Sequence, residues 1–302
     1  MVEKFDEKIC AIVTTFVTDP LLKERIKRIE SQVDLVIIID DSGKEENFNK
    51  LIKLFNGEKK IFLHKQLKNS GIATALNKGI EIAKKEGMKW VFTLDDDTCV
   101  DDGIVRDMLN KWKIIEMNKR IKIGLMGMEY VNYDEIEKLR KTNKKYFYEE
   151  KRGLITSGSL FKVKICDEIG GFRDEFFIDY VDYDFCLRAR ERGYRIIKIK
   201  STRMAHKIGD KIKKTIFGIK IESTNHKSIR RYYQFRNSTI LAIEYFMKDI
   251  LFSLAIFYFQ IKTILLIMLI ENKRKEKFSM IFKGYIDALR RRMGKYEYDK
   301  SN

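Results

Sequence analysis

The sequence predicts an α/β protein built on a doubly wound, mostly parallel sheet, with a basic helical extension towards its C-terminal end. Three observations carry this. Short apolar runs alternate with amphipathic stretches over the first 126 residues; polar residues cluster where the apolar runs stop; and beyond about residue 227 the chain becomes basic and helical in pattern.

The first run, Ile9–Phe16 (ICAIVTTF), is rich in β-branched residues and long enough for one buried strand. Leu35–Ile39, Ile61–Leu63, Trp90–Leu94 and Ile121–Met126 read in the same way, each as a strand buried on both faces. Between them Pro20–Ile29, Glu45–Phe55, Gly71–Glu86 and Asp101–Met117 carry apolar residues at helical spacing. Residues 141–153 (KTNKKYFYEEKRG) are polar and aromatic and read as a loop or connecting strand. A second set follows: Leu154–Val163, a short helix near Cys166–Ile169, a GGF turn at 170–172, an acidic-headed helix from Val181 to Arg192 and a strand at Arg195–Ile199.

The net charge of +17 favours anionic partners: nucleic acid, acidic lipid headgroups or phosphorylated small molecules. The four cysteines, at 10, 99, 166 and 186, form no C-x-x-C and are expected to be reduced, buried thiols. The start MVEKFDEKICAIVTTF lacks the pattern of a signal peptide, so the expected setting is the cytoplasm.

Ligands of doubly wound sheets sit at the carboxyl ends of the strands. Thr14 and Thr15 follow the first run, Asp40–Asp41–Ser42–Gly43 the second, and Asp95–Asp96–Asp97 the fourth. Three adjacent carboxylates can serve Mg²⁺ or Mn²⁺, which take hard oxygen ligands and bridge them to phosphates. They can equally form a solvated turn, with Asp101 capping the next helix. In FFIDYVDYDFCLRARERGYRI (176–196), Asp179, Asp182 and Asp184 stand at a helix start, where the macrodipole favours acids; one of them facing the site could act as a general base. His206 follows a strand and a short loop and is either a third metal ligand or a bystander; His64 and His226 have no such context.

The motifs in this order resemble glycosyltransferase family 2, the inverting enzymes with the GT-A fold, and within it the branch of bacterial rhamnosyltransferases and galactofuranosyltransferases. IVTTFVTDPLLKERI resembles the family's opening strand, turn and helix; IIIDDSG resembles its V-V-D-N-G-S; KNSGIATALNKGI is similar to the N-x-G-x-x-x-A-x-N-x-G segment lining the nucleotide site. FTLDDDT matches the D-x-D motif, and the block from SGSLFKVK to ERGYRI, with RRYYQFRNS and KGYIDALRRRMGK after it, carries the likeness to the end of the chain.

The resemblance implies a GT-A domain over 1–226, with a nucleotide-sugar half (1–126) and an acceptor half (127–226), and a helical, basic, membrane-associating extension over 227–302. It implies nucleotide contacts from Thr14, Thr15, Asp40, Asn69, Gly71, Asn77, Asp95 and Asp96, with Asp40 at the nucleobase and Asp95 near the ribose. Asp97 and His206 would bind Mg²⁺ or Mn²⁺, and Asp182 would be the base. Val181 stands where the family usually has Glu, and the first turn lacks the usual Asn. Asp179 and Asp184 are candidates to share the work of Asp182.

The implied reaction moves a sugar from a nucleoside-diphosphate donor, dTDP-rhamnose first and UDP-galactofuranose next, to a glycan or lipid-linked acceptor in cell-surface polysaccharide synthesis. The alternatives are an inactive family member acting as a membrane-bound scaffold, and a nucleotidyltransferase. The latter usually has a glycine-rich basic loop after the first strand, which TTFVTDP lacks. A nucleic-acid partner is not expected, because three carboxylate-bearing strand ends would repel phosphate. A homo-oligomer is left open.

Residues 227–302 hold 16 Lys and Arg against 7 Asp and Glu. Within them ILFSLAIFYFQIKTILLIMLI (250–270) is long enough to span a bilayer, yet both its flanks are basic, against the positive-inside tendency. An in-plane or partly inserted helix in peripheral contact with an anionic membrane surface, at the inner face of the cell membrane, fits this pattern better than a span. A helix packed on the domain or on a subunit partner is the other alternative.

Overall fold

A computed structural model describes residues 7–131, 148–205, 212–216 and 218–297. The chain forms two compact units: one of residues 1–174 and 181–207, the other of 175–180 and 208–302.

The first unit is a mixed nine-stranded sheet with helices against it. Its first half alternates strand and helix: β1 (Ile9–Thr15), α1 (Leu22–Glu30), β2 (Leu35–Asp40), α2 (Glu45–Leu54), β3 (Ile61–Lys65), α3 (Ile72–Lys85), β4 (Trp90–Asp95), β5 (Cys99–Val100) and α4 (Ile104–Lys119). β1 and β2 are almost wholly buried, as their unbroken apolar runs require. β3 departs from the expectation of burial on both faces: it is the edge strand among the described residues, half-buried along its length, with Phe62 exposed.

The order β3-β2-β1-β4 is parallel throughout, so the carboxyl ends of β1, β2 and β4 open on one edge. The register is specific: Thr15 lies opposite Asp40, and Thr14 opposite Asp95. The strand order reverses between β1 and β4, which makes this the crevice where such sheets take ligands.

The second half is antiparallel in part. β6 (Ile123–Val131) runs past the expected end at Met126; β7 (Tyr148–Lys151) and β8 (Ser159–Lys162) precede α5 (Val163–Ile169) and α6 (Val181–Glu191), and β9 (Arg195–Ala205) follows, paired with β6, β7 and the edge strand β5. β8 inserts antiparallel between β4 and β6, and β9 runs parallel to β6. The four cysteines are free thiols, and burial pushes Cys10, Cys166 and Cys186 up to about 12.

The second unit comprises a hairpin, β10 (Ile212–Ile216) and β11 (Ile219–Ser223), and three helices: α7 (Ser228–Tyr245), α8 (Ile250–Leu269) and α9 (Arg274–Leu289). The hairpin is not apparent in the sequence pattern, whereas the helical extension is. α7 and α9 pack closely enough that a Cβ on Gly284 would lie 2.7 Å from the Tyr232 carbonyl oxygen. Among the described residues α8 is the one helix long and apolar enough to cross a membrane.

Candidate active site

The aspartate triplet caps β4 on a tight turn, with the Thr98 N–H donating to the Asp95 carbonyl at 3.1 Å. The turn is anchored, not free in solvent. The Asp95 N–H donates to Ser157 Oγ (3.1 Å), whose hydroxyl also meets Thr98 Oγ1 (2.7 Å), and Arg25 donates to the Asp96 carbonyl at 2.7 Å. Thr15 Oγ1 donates to Asp96 Oδ2 at 2.7 Å, joining the ends of β1 and β4 as the register allows. Burial pushes the Asp96 carboxyl above its ordinary value; the Thr15 hydrogen bond opposes this and the adjacent Asp97 charge adds to it.

At the end of β2 the two aspartates divide their work. Asp40 is fully buried; its Oδ1 accepts from the Ser42 N–H and from Asn47 Nδ2, both at 2.9 Å. Its Oδ2 accepts no hydrogen bond from the described residues. Asp41 accepts from the Ser70 and Gly71 N–H groups, both at 2.8 Å, and so ties the loop carrying Asn69 and Gly71 to the sheet edge. Gly71, at φ +92° and ψ 160°, occupies a conformation open essentially to glycine alone. Gly43 packs so tightly that a Cβ there would sit 2.6 Å from the Lys68 Cα.

Asn77 has partners of another kind. Its Nδ2 donates to the Phe172 carbonyl and to Asp174, both at 2.8 Å, and its Oδ1 accepts the Phe172 N–H at 2.9 Å. It is a tie between α3 and the turn at 170–172. That turn is held from its other side by Arg188, which donates to the carbonyls of Ile169 (2.5 Å) and Gly171 (2.7 Å) while paired with the buried Asp184 at 2.6 Å. Arg173 also meets Asp184, at 3.2 Å. Asp184 is therefore a structural ion-pair centre.

Asp182 lies half-buried in the first turn of α6, and its Oδ1 accepts the Tyr183 N–H at 2.8 Å. This position satisfies the preference of a helix N-terminus for acidic side chains. Burial and the nearby Asp182 charge push the Tyr183 hydroxyl up to about 12.

Thr14, Thr15, Asp40, Asn69, Gly71 and Asp95–Asp97 are thus gathered along the β1, β2 and β4 ends, by register or by hydrogen bonds, and Asp182 comes from a separate element. His206 lies outside the described residues. Among those residues no three acidic, His or Cys side chains form a ready metal cluster. The triplet's donor chemistry still fits a hard divalent cation, because positive charge there would relieve the repulsion between Asp96 and Asp97.

The sequence model of the family described as "Glycosyl transferase family 2" matches residues 10–170, more than half of the chain. The chain belongs to this family. The fold of this family 2 glycosyltransferase is GT-A, and its helical region follows. It is 29% identical over 250 residues to "dTDP-rhamnosyl transferase RfbF" of Shigella flexneri, spanning 78% of this chain and 80% of that protein. Among solved structures it resembles S. aureus TarS 1–349 in complex with UDP-GlcNAc, with a TM-score of 0.58 at 13% identity over 93% of this chain and 81% of that one. A longer TarS chain matches with a TM-score of 0.51 at 14% identity, over 79% of this chain and 40% of its own length. At these identities the structural likeness speaks for fold alone.

Two sets of residues in this glycosyltransferase were not singled out by sequence reasoning. Arg25 and Ser157 hold the triplet turn, and nothing in their local sequence marks them, since each acts on a segment more than 60 residues away. In the second unit, Asn237 Nδ2 donates to the carbonyls of Phe176 (2.9 Å), Ile178 (2.8 Å) and Asp179 (2.8 Å). Arg236 Nη2 joins it on the Phe176 carbonyl at 3.1 Å, and Arg230 pairs with Asp179 at 3.2 Å. These residues clamp the segment that immediately precedes α6, where Phe177, Asp179 and Tyr180 all have φ near +60°. The stretch RRYYQFRNS was the available signal.

Proposed function

We propose that this chain is an inverting, metal-dependent glycosyltransferase that moves a sugar from a nucleoside-diphosphate donor to a glycan or lipid-linked acceptor. dTDP-rhamnose is the first choice of donor and UDP-galactofuranose the next. Cell-surface polysaccharide synthesis at the inner face of the cell membrane is the setting. The observation that carries this reading is the gathering of Thr15, Asp40 and the Asp95–Asp97 turn at adjacent strand ends, with a buried Asp40 oxygen available as an acceptor. An imide N–H, shared by uracil and thymine, is the complement of that oxygen. The relative in Shigella flexneri, named for dTDP-rhamnose transfer, supports the donor ranking.

In this mechanism Asp40 receives the nucleobase, with Thr14 and the Asn69–Gly71 loop beside it, and Asp95 orients the ribose. Asn77 keeps the acceptor-side turn in place. Asp97 and His206 are the residues that would hold Mg²⁺ or Mn²⁺, which supplies charge neutralisation for a departing diphosphate. Asp96, held by Thr15, adds negative charge beside Asp97. Asp182 takes the proton from the acceptor hydroxyl as that oxygen attacks the sugar from the face opposite the leaving group. General-base assistance of this kind is worth about 10²–10⁴-fold. Holding donor and acceptor together adds to the rate through proximity.

Calorimetric titration of UDP, dTDP and GDP, with Mn²⁺ or Mg²⁺ and with EDTA, tests the site. Metal-dependent binding of a pyrimidine diphosphate is expected, weakened about ten-fold or more in Asp97→Asn. Asp182→Asn should leave that binding intact while transfer to acceptor falls by about 10²-fold or more. Folded protein that binds none of the three nucleotides would point to a scaffold.

A further inference from the structure

α8 is built inside out. Its polar side chains Ser253 and Gln260 face its own unit. Ser253 donates to the Ala242 carbonyl at 2.9 Å; Gln260 donates to Ser238 (2.8 Å) and Thr239 (3.0 Å) on α7 and accepts from Tyr285 on α9 at 3.0 Å. The opposite side presents Leu251, Leu254, Tyr258, Ile261, Leu265 and Met268, all at least half exposed and spaced three or four residues apart as one stripe. With 20 residues at 1.5 Å each, the stripe is about 30 Å long. Contiguous apolar surface of this extent marks an interaction site.

Cations stand at both ends and on one edge of the stripe. Lys248 is exposed just before α8, Lys262 flanks its middle, and Lys273, Arg274 and Lys275 are exposed just after it. The neighbouring acids are few: Asp249 caps α8 by accepting the Phe252 N–H at 3.0 Å, and Glu276 pairs with Lys273 at 3.8 Å. We propose that the outer face of α8 lies in the plane of an anionic lipid surface, its apolar stripe in the headgroup–acyl boundary and these cations on the headgroups. This deepens the membrane-side setting proposed above and rests on it for the occupant.

Two rival arrangements fit less well. A span would carry α7 and α9 into hydrocarbon with α8, together with the buried Arg231, Glu271 and Lys277 and the exposed Lys283. A second copy docked on the same stripe would bring like-charged flanks together.

The test is flotation of the full chain with vesicles of phosphatidylcholine alone or with about 30% phosphatidylglycerol. Wild type should float with the anionic vesicles and be released by alkaline carbonate. Leu254→Glu/Tyr258→Glu/Leu265→Glu and Lys273→Glu/Arg274→Glu/Lys275→Glu should each lower partitioning about ten-fold or more, with unchanged far-ultraviolet circular dichroism. Absence of flotation, equal flotation of the variants, or retention after carbonate would overturn the proposal. A wild-type dimer that the apolar variant dissociates, with no vesicle binding, would assign the face to a second copy instead. Nucleotide calorimetry on the same preparations separates the two readings: wild type that binds a nucleoside diphosphate but no vesicles overturns only the membrane inference.

Discussion

Asp184 is buried and stands two residues from the proposed base, yet its surroundings make it structural. Its carboxylate faces Arg173 and Arg188, and Arg188 in turn holds the turn at 169–171. Removing one partner of such a pair strands the other charge, so Asp184→Ala should cost about 3 kcal/mol in urea unfolding. Equal stability of the variant would mean that the arginines find water. His226 carries a pH dependence. Burial, and then Arg230 and Arg231, lower its pKa from 6.5 to about 4. The unfolded chain therefore takes up a proton before the folded one, and stability held above 6.5 is lost as pH falls towards 4. The unfolding midpoint should drop between about pH 7 and pH 5, and His226→Gln should reduce that drop.

At the scale of elements, the segment 175–180 matters most. Three non-glycine residues in the left-handed region cost on the order of 1–3 kcal/mol each, and they persist because α7 holds the segment. Asn237 supplies the central clamp, with its amide on three carbonyls. Asn237→Ala should lower stability by about 2–3 kcal/mol. It should also make 175–180 the first site of limited proteolysis, read by mass spectrometry of the fragments. Cleavage elsewhere first would show that the segment is held without Asn237. The sheet edge shows a related division of labour. β1, β2 and β4 supply the register, and loops anchored by Asp41, Ser157 and Arg25 supply the positions of the polar groups.

For the whole molecule, the net charge of +17 is the dominant electrostatic fact, and much of it sits in the last quarter of the chain. Such a surface draws anions, and salt screens the attraction over about 8–10 Å at physiological strength. Affinity for a nucleoside diphosphate should fall several-fold between about 50 and 500 mM salt, measured by the same calorimetry. Salt-independent affinity would place the recognition entirely in short-range contacts.

The alternation of apolar runs with amphipathic stretches determined the fold class, because burial on both faces demands continuous apolar strands and covering helices demand a 3.6-residue period. It also determined where the polar clusters fall, since a strand that runs out of apolar residues has reached the end of the sheet. The helical extension was equally legible, and β7 falls within the stretch read as a loop or connecting strand. The short strands β5, β10 and β11 were not legible, being too brief or too polar to show a period. Only the tertiary structure decided who meets whom. Thr15 reaches Asp96 across 81 residues, Asn77 reaches Phe172 across 95, and Asp41, not Asp40, holds the Ser70–Gly71 loop. The same is true of α8, whose composition permits a span, a core helix or an interfacial helix. Its hydrogen bonds to α7 and α9 turn Gln260 inward and leave the apolar stripe outside. Periodicity is a local property of the chain, whereas partners are set by register and packing between segments far apart in sequence.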